Sequence, residues 1–111
     1  MIAQNDTTDS FMKELQSLWH AEKLLTDALP RMMALAFDFG LRQNLAMHFA
    51  ETDQHKVAVE AICKQLGFDH EGTENEAMQS IIAAGEEAMS GASGDALDEA
   101  IILCAIRVEH Y

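Results

Sequence analysis

Apolar residues recur along this chain at alternating spacings of three and four. Phe11, Leu15, Leu18, Leu25, Leu29, Met32 and Ala36 form one such stripe, with Glu22 as its charged member. A stripe of that period is one face of a helix that packs on other helices. The spacing predicts a first helix from about 8 to 37, started by the side chains of Thr7, Thr8, Asp9 and Ser10 after a loose tail at 1–6. Pro30 removes one backbone donor and crowds the preceding turn, so a kink near Thr26 is expected rather than a break. Asp38-Phe39-Gly40 reads as the turn, with Gly40 suited to a left-handed helix end.

A second helix is predicted over about 41–66. Gly67 ends it, and Phe68 folds back as the hydrophobic partner of a Schellman cap. Thr73-x-x-Glu76 reads as a capping box for a shorter helix over about 75–89, with Met78, Ile81, Ile82, Gly85 and Met89 on one side. Ser90-Gly91-Ala92-Ser93-Gly94 is a break, after which a fourth helix runs over 95–111. Ile101-Ile102-Leu103-Cys104-Ala105-Ile106 is apolar all round, which predicts enclosure on several sides. The chain ends at Tyr111 with no glycine, proline or polar cap, a pattern that looks cut. The expectation is one all-α domain over 1–111, an antiparallel bundle of long helices.

Composition narrows the function. With 111 residues, 49% apolar and one proline, the chain suits one helical core. Seven basic against nineteen acidic residues give a net charge of -12, which argues against nucleic acid and anionic membranes as partners. No apolar run reaches the length of a membrane span and no signal peptide opens the chain, so a cytoplasmic location is expected. Cys63 and Cys104 lie far apart in apolar helical contexts and read as reduced core residues.

The candidate chemistry sits in Met47-His48-Phe49-Ala50-Glu51-Thr52-Asp53-Gln54-His55. At 100° per residue, His48, Glu51, Thr52 and His55 fall on the side that also carries Leu41, Leu45, Val59, Ile62 and Leu66. Folding the first two helices back about Asp38-Phe39 brings Glu22 to the height of His55, with Glu51 one turn away. Glu109 lies almost directly above Ile102 on the last helix, so it too can face inward. A buried carboxylate persists if protonated, paired or bound to a metal. Carboxylate and imidazole donors suit iron, manganese or zinc. Inward Glu and His from facing helices are how bundles build two-metal sites. The plainer alternative is a hydrogen bond or weak ion pair, with His48 a hydrogen-bonded core residue or a group that supports the ligands from behind. Glu86 and Glu87 read as solvated, and the methionines as core filler.

Leu18-Trp19-His20-Ala21-Glu22-Lys23-Leu24-Leu25-Thr26-Asp27-Ala28-Leu29-Pro30-Arg31-Met32 resembles the opening of the YciE/YciF-like proteins, a ferritin-like family once labelled a domain of unknown function. His48-Phe49-Ala50-Glu51-Thr52, Ala77-Met78 and Arg107-Val108-Glu109-His110-Tyr111 are similar to its later motifs. The resemblance implies a ferritin-like bundle with a di-metal carboxylate site holding iron or manganese, often linked to stress responses, with no settled reaction. By position, Glu22, Glu51 and Glu109 match family acidic positions, and His55 sits where relatives often have Gln or His. Relatives commonly carry Glu where this chain has Ala84. They also continue past the His-Tyr pair with another inward Glu and a further long helix, so the final helix is missing here. The apolar face this leaves bare is expected to drive homo-oligomerisation, most simply to a dimer. The competing expectation is a non-catalytic self-association or stress-response module with a degraded metal site. Haem binding through His and Met has no supporting spacing.

Overall fold

A computed structural model of the chain describes residues 2–111, with side chains from residue 8 onward. It is all-helical: α1 (Ile2–Leu35), α2 (Phe39–Leu66), α3 (Glu76–Ser90) and α4 (Gly94–His110). The molecule is a rod of 57 × 22 × 18 Å. Its frame is the long α1/α2 hairpin. The shorter α3/α4 hairpin packs on it mainly through α1, while α2 and α4 scarcely touch.

α1 starts at Ile2, so the stretch expected as a loose tail is helical and the start signals at 7–10 lie inside the helix. Residues 2–6 contain no glycine or proline, and a nucleated helix gains one bond for each residue it adds. The helix runs unbroken through Pro30, whose ring is exposed. The turn also differs from expectation. Asp38 is the N-cap of α2, its carboxylate accepting the Leu41 N–H at 2.9 Å, and Gly40 lies in the first helical turn. The left-handed glycines are Gly67, Gly72 and Gly94 instead. Asp98 of α4 reinforces the turn, accepting the Phe37 N–H at 2.7 Å and the Asp38 N–H at 3.0 Å.

The end of α2 is as the sequence implies. Gly67 is left-handed with φ 84°, its N–H bonds to Lys64 O, and the Phe68 N–H reaches Cys63 O. Phe68 packs on Trp19, Val59 and Cys63, the smaller of two apolar clusters. The start of α3 is not. Asn75, rather than Thr73, caps it by accepting the Met78 N–H at 2.9 Å. The Thr73 hydroxyl is engaged elsewhere, donating to Gln16 Oε1 at 2.7 Å. Buried Gln16 also donates from Nε2 to Asp69 O and Glu71 O, both at 3.0 Å. His20 Nδ1 accepts the Asn75 N–H at 2.6 Å, and the Asn75 amide donates to Ser17. One polar face of α1 thus clamps the whole α2–α3 connection.

The main core is Ala21, Leu25, Leu29 and Met32 of α1, Ala36 just beyond its end, Leu45 of α2, Met78 and Met89 of α3, and Ile101, Cys104 and Val108 of α4. Gly85 lets α3 approach α4 closely: a Cβ there would overlap Cys104 Sγ and lie 3.0 Å from Cys104 Cβ. Both cysteines are free and buried, and burial pushes both thiols above their ordinary range. Arg31 of α1 pairs with Glu86 of α3 at 2.7 Å, and both side chains keep their contact with solvent.

The expected enclosure of α4 does not occur. Ile101 is fully buried, but Ile102, Leu103 and Ile106 are exposed. Four helices arranged as two hairpins supply neighbours on only one side of α4. For the same reason Phe11 and Leu18 on the α1 stripe, and Ile62 and Leu66 on the α2 stripe, are exposed. The α3/α4 hairpin is too short to cover the distal half of α1/α2: 17 residues of helix span about 25 Å, against about 50 Å for α1.

Candidate functional site

Where the end of α4 meets the middle of the α1/α2 hairpin, a cleft of about 420 Å³ opens. α1 contributes Leu18, Glu22 and Leu25; α2 contributes His48, Glu51, Thr52 and His55; α4 contributes Val108 and Glu109, followed by Tyr111. Glu22, Glu51, His55 and Glu109 therefore all line one space. The equal-height construction about the turn places Glu22 opposite His55, and the two stand with Oε1 and Nδ1 4.0 Å apart.

The cleft is wetter than the dry interior anticipated. The Glu22 side chain is 19% exposed, but that of His55 is 66% exposed, and Glu51 and Glu109 are exposed as well. Helix geometry explains the correction. On α2 the buried direction runs through Leu45, Thr52, Val59 and Cys63. His48 and His55 sit roughly 40–60° from Thr52, and Glu51 about 100° from it, on the shoulder rather than the floor. Thr52 occupies the floor because its hydroxyl donates to His48 O at 2.7 Å and needs no further partner.

Electrostatics single out Glu22. Desolvation by its surroundings pushes its carboxyl pKa above the ordinary glutamate range, while His55 and then His48 pull it back. Glu22 is thus a half-buried acid whose charged form needs positive charge nearby. Two imidazoles supply some when protonated; a cation would supply more. Carboxylates from three helices and an imidazole are a donor set that fits iron or manganese. As the side chains stand, however, no three of these groups bring ligand atoms within 4.8 Å of one another; among the described residues only Asp69, His70 and Glu71 do so. That trio belongs to the exposed α2–α3 loop. Its geometry follows from Asp69 accepting the Glu71 N–H at 3.1 Å and from His70 packing on Trp19 with ring centroids 4.5 Å apart.

His48 acts on Glu22 as a second positive influence from behind His55, in line with a supporting place for it, and its spacing of seven from His55 puts both on the same shoulder. Sequence reasoning missed Tyr111 as a wall of the cleft. A second depression of about 420 Å³ lies between α2 and α4 and shares His48, Glu51 and Glu109 with the first, so the cleft opens sideways along the bundle.

Comparison with known proteins agrees with this architecture. The family described as "Domain of unknown function (DUF892)" matches residues 6–111. The chain belongs to this family. A solved structure similar to this DUF892 chain is "YcfI, a putative structural protein from Rhodopseudomonas palustris": it superposes with a TM-score of 0.86 at 30% identity, over 94% of this chain and 67% of that one. No curated protein matches. No helix among the described residues is long and apolar enough to cross a membrane.

Proposed function

We propose that this DUF892 chain is a ferritin-like, cytoplasmic metal-binding protein that holds iron or manganese through Glu22, Glu51, His55 and Glu109. The observation that carries the reading is the gathering of all four on one cleft, around a half-buried Glu22 whose charged form is disfavoured by its surroundings. A divalent cation relieves that cost, since an opposite charge within about 4–6 Å favours the carboxylate. Glu51, His55 and Glu109 are free to swing in from solvent, but ordering them costs rotamer entropy, so modest affinity follows. Iron or manganese held there would supply redox chemistry toward oxygen or peroxide. Elemental analysis of protein purified without chelators tests the reading. About one or two ions per cleft, lost in Glu22→Ala, supports it. No metal, with unchanged folding in Glu22→Ala and His55→Ala, points instead to a non-catalytic association or stress-response module. The exposed apolar side chains of α4 and the structural description of YcfI favour that second reading.

A further inference from the structure

We propose, resting on the metal reading above, that the cleft holds one divalent cation per chain and not the pair of ions that carboxylate bundles commonly hold. Glu51 and His55 of α2 grip the ion against Glu22 of α1, and Glu109 of α4 closes on it from the far side. The spacing of these donors along α2, and the helices that supply them, both favour a single ion.

Spacing comes first. A two-metal bundle site takes a Glu from each of two helices and a Glu-x-x-His pair, three residues apart, from each of the other two. No such pair lines this cleft: Glu51 and His55 are four residues apart. At 100° per residue they project about 40° apart, from the same shoulder of α2. Side chains four apart stand one above the other and can close on a single ion, as the two histidines of an H-E-x-x-H helix close on one zinc. Glu22 faces them from α1, its Oε1 already 4.0 Å from His55 Nδ1. An ion taken by the α2 pair thus meets Glu22 as its third ligand.

The other walls supply too little for a second ion. α3 reaches the cleft only through Met78, which is buried, and a thioether suits soft metals rather than iron or manganese. The rest of the α1 wall is Leu18, Ala21 and Leu25, and α4 adds the single carboxylate of Glu109. Once Glu22, Glu51, His55 and Glu109 are engaged, His48 and the Tyr111 phenol remain, and neither is a carboxylate. Charge agrees with the count. Three carboxylates balance one divalent ion with one negative charge to spare, whereas two ions would leave a partly buried cleft net positive beside two imidazoles. A lone ion also lacks the neighbour with which two-metal centres share a reaction. What the cleft can offer is binding and release of the ion, or that ion's own redox chemistry.

Titration of Mn²⁺ into the metal-free full chain, followed by electron paramagnetic resonance, counts the ions and reads whether they are neighbours. Wild type should saturate at one ion per chain with the hyperfine spectrum of an isolated ion. Glu22→Gln should abolish binding, and Glu51→Gln and His55→Ala should each weaken it about tenfold or more, with unchanged far-ultraviolet circular dichroism. Glu51 and His55 are exposed and Glu22→Gln keeps the side chain's size, so none of these changes threatens the fold. Gln54→His combined with His55→Ala creates the spacing of three but turns the imidazole about 100° away from its place. That variant should bind no better than His55→Ala, and recovery of wild-type affinity would overturn the role given to the spacing. Two ions per chain with an exchange-coupled spectrum overturn the single-ion site and uphold the metal reading. One ion whose affinity survives both Glu51→Gln and His55→Ala overturns the grip by α2. No Mn²⁺ bound at all sinks the metal reading, and the single-ion site with it.

Discussion

Gly85→Ala is the sharpest test of how the α3/α4 hairpin is held. An alanine in a helix interior is intrinsically better than glycine by about 1 kcal/mol, so propensity alone predicts stabilisation. The geometry predicts the opposite. The new Cβ would overlap Cys104 Sγ and come to 3.0 Å from Cys104 Cβ. The sulfur could rotate away, but the Cβ cannot move without its backbone, and Cys104 is buried. The helices must separate, and overpacking of this kind costs about 1–3 kcal/mol. With contact at both atoms the upper part of that range applies, leaving a net loss of roughly 1–2 kcal/mol after the propensity gain. In a domain of this size that lowers Tm by roughly 4–10 °C.

Urea unfolding followed by circular dichroism measures the loss, and a double-mutant cycle with Cys104→Ala assigns it. Cys104→Ala alone should destabilise by about 1–2 kcal/mol through the void it leaves. In the double variant the alanine methyl fills part of that void, so the combined loss should be smaller than the sum by about 1 kcal/mol or more. A Gly85→Ala variant at least as stable as wild type would refute the close crossing, and strict additivity would show that Cys104 is not the obstruction.

Glu22→Gln should change the pH dependence of stability. The folded pKa of Glu22 is raised, so its contribution to stability is full below the ordinary glutamate value and is lost as pH rises through the folded value. In metal-free protein, Glu22→Gln should therefore be more stable than wild type at pH 7, with the gap closing below about pH 4; equal stability at both ends would contradict the burial. His55→Ala removes the larger of the two influences that lower the Glu22 pKa, so a carboxyl titration followed by nuclear magnetic resonance should place Glu22 higher than in wild type. Gln16→Ala removes three hydrogen bonds to the α2–α3 connection. At about 0.5–1.5 kcal/mol each, the loss should total roughly 2–3 kcal/mol, with faster amide exchange across residues 67–75. Asp98→Ala frees two backbone N–H groups at the exposed first turn. It should cost about 1 kcal/mol by denaturant titration, because water can replace the lost acceptor.

The parts of this fold that could be read in the sequence are those set by neighbours along the chain. Gly67 and Phe68 announce their cap because every bond in it lies within six residues. The opposition of Glu22 and His55 follows from counting along two antiparallel helices from one turn. The parts that could not be read are set across the chain. Thr73 and Glu76 have the spacing of a capping box, yet Gln16, 57 residues from Thr73, takes the threonine hydroxyl, and Asn75 caps α3. Nothing near Asp98 in the sequence points to the α1/α2 turn, some 60 residues away, whose Phe37 and Asp38 N–H groups it accepts.

The same distinction explains the candidate site. A helical wheel assigns residues to a side but does not say how much of that side another helix will cover. His48, Glu51 and His55 lie within about 100° of Thr52, yet only Thr52 is buried. Whether the other three belong to a core depends on an element lying over α2, and α4 does not reach across to do so. Six consecutive apolar residues, Ile101 to Ile106, encode a helix meant to be covered on more than one side, whereas the fold of a single copy covers one. The exposed carboxylates and the exposed isoleucines are thus two consequences of the same open side.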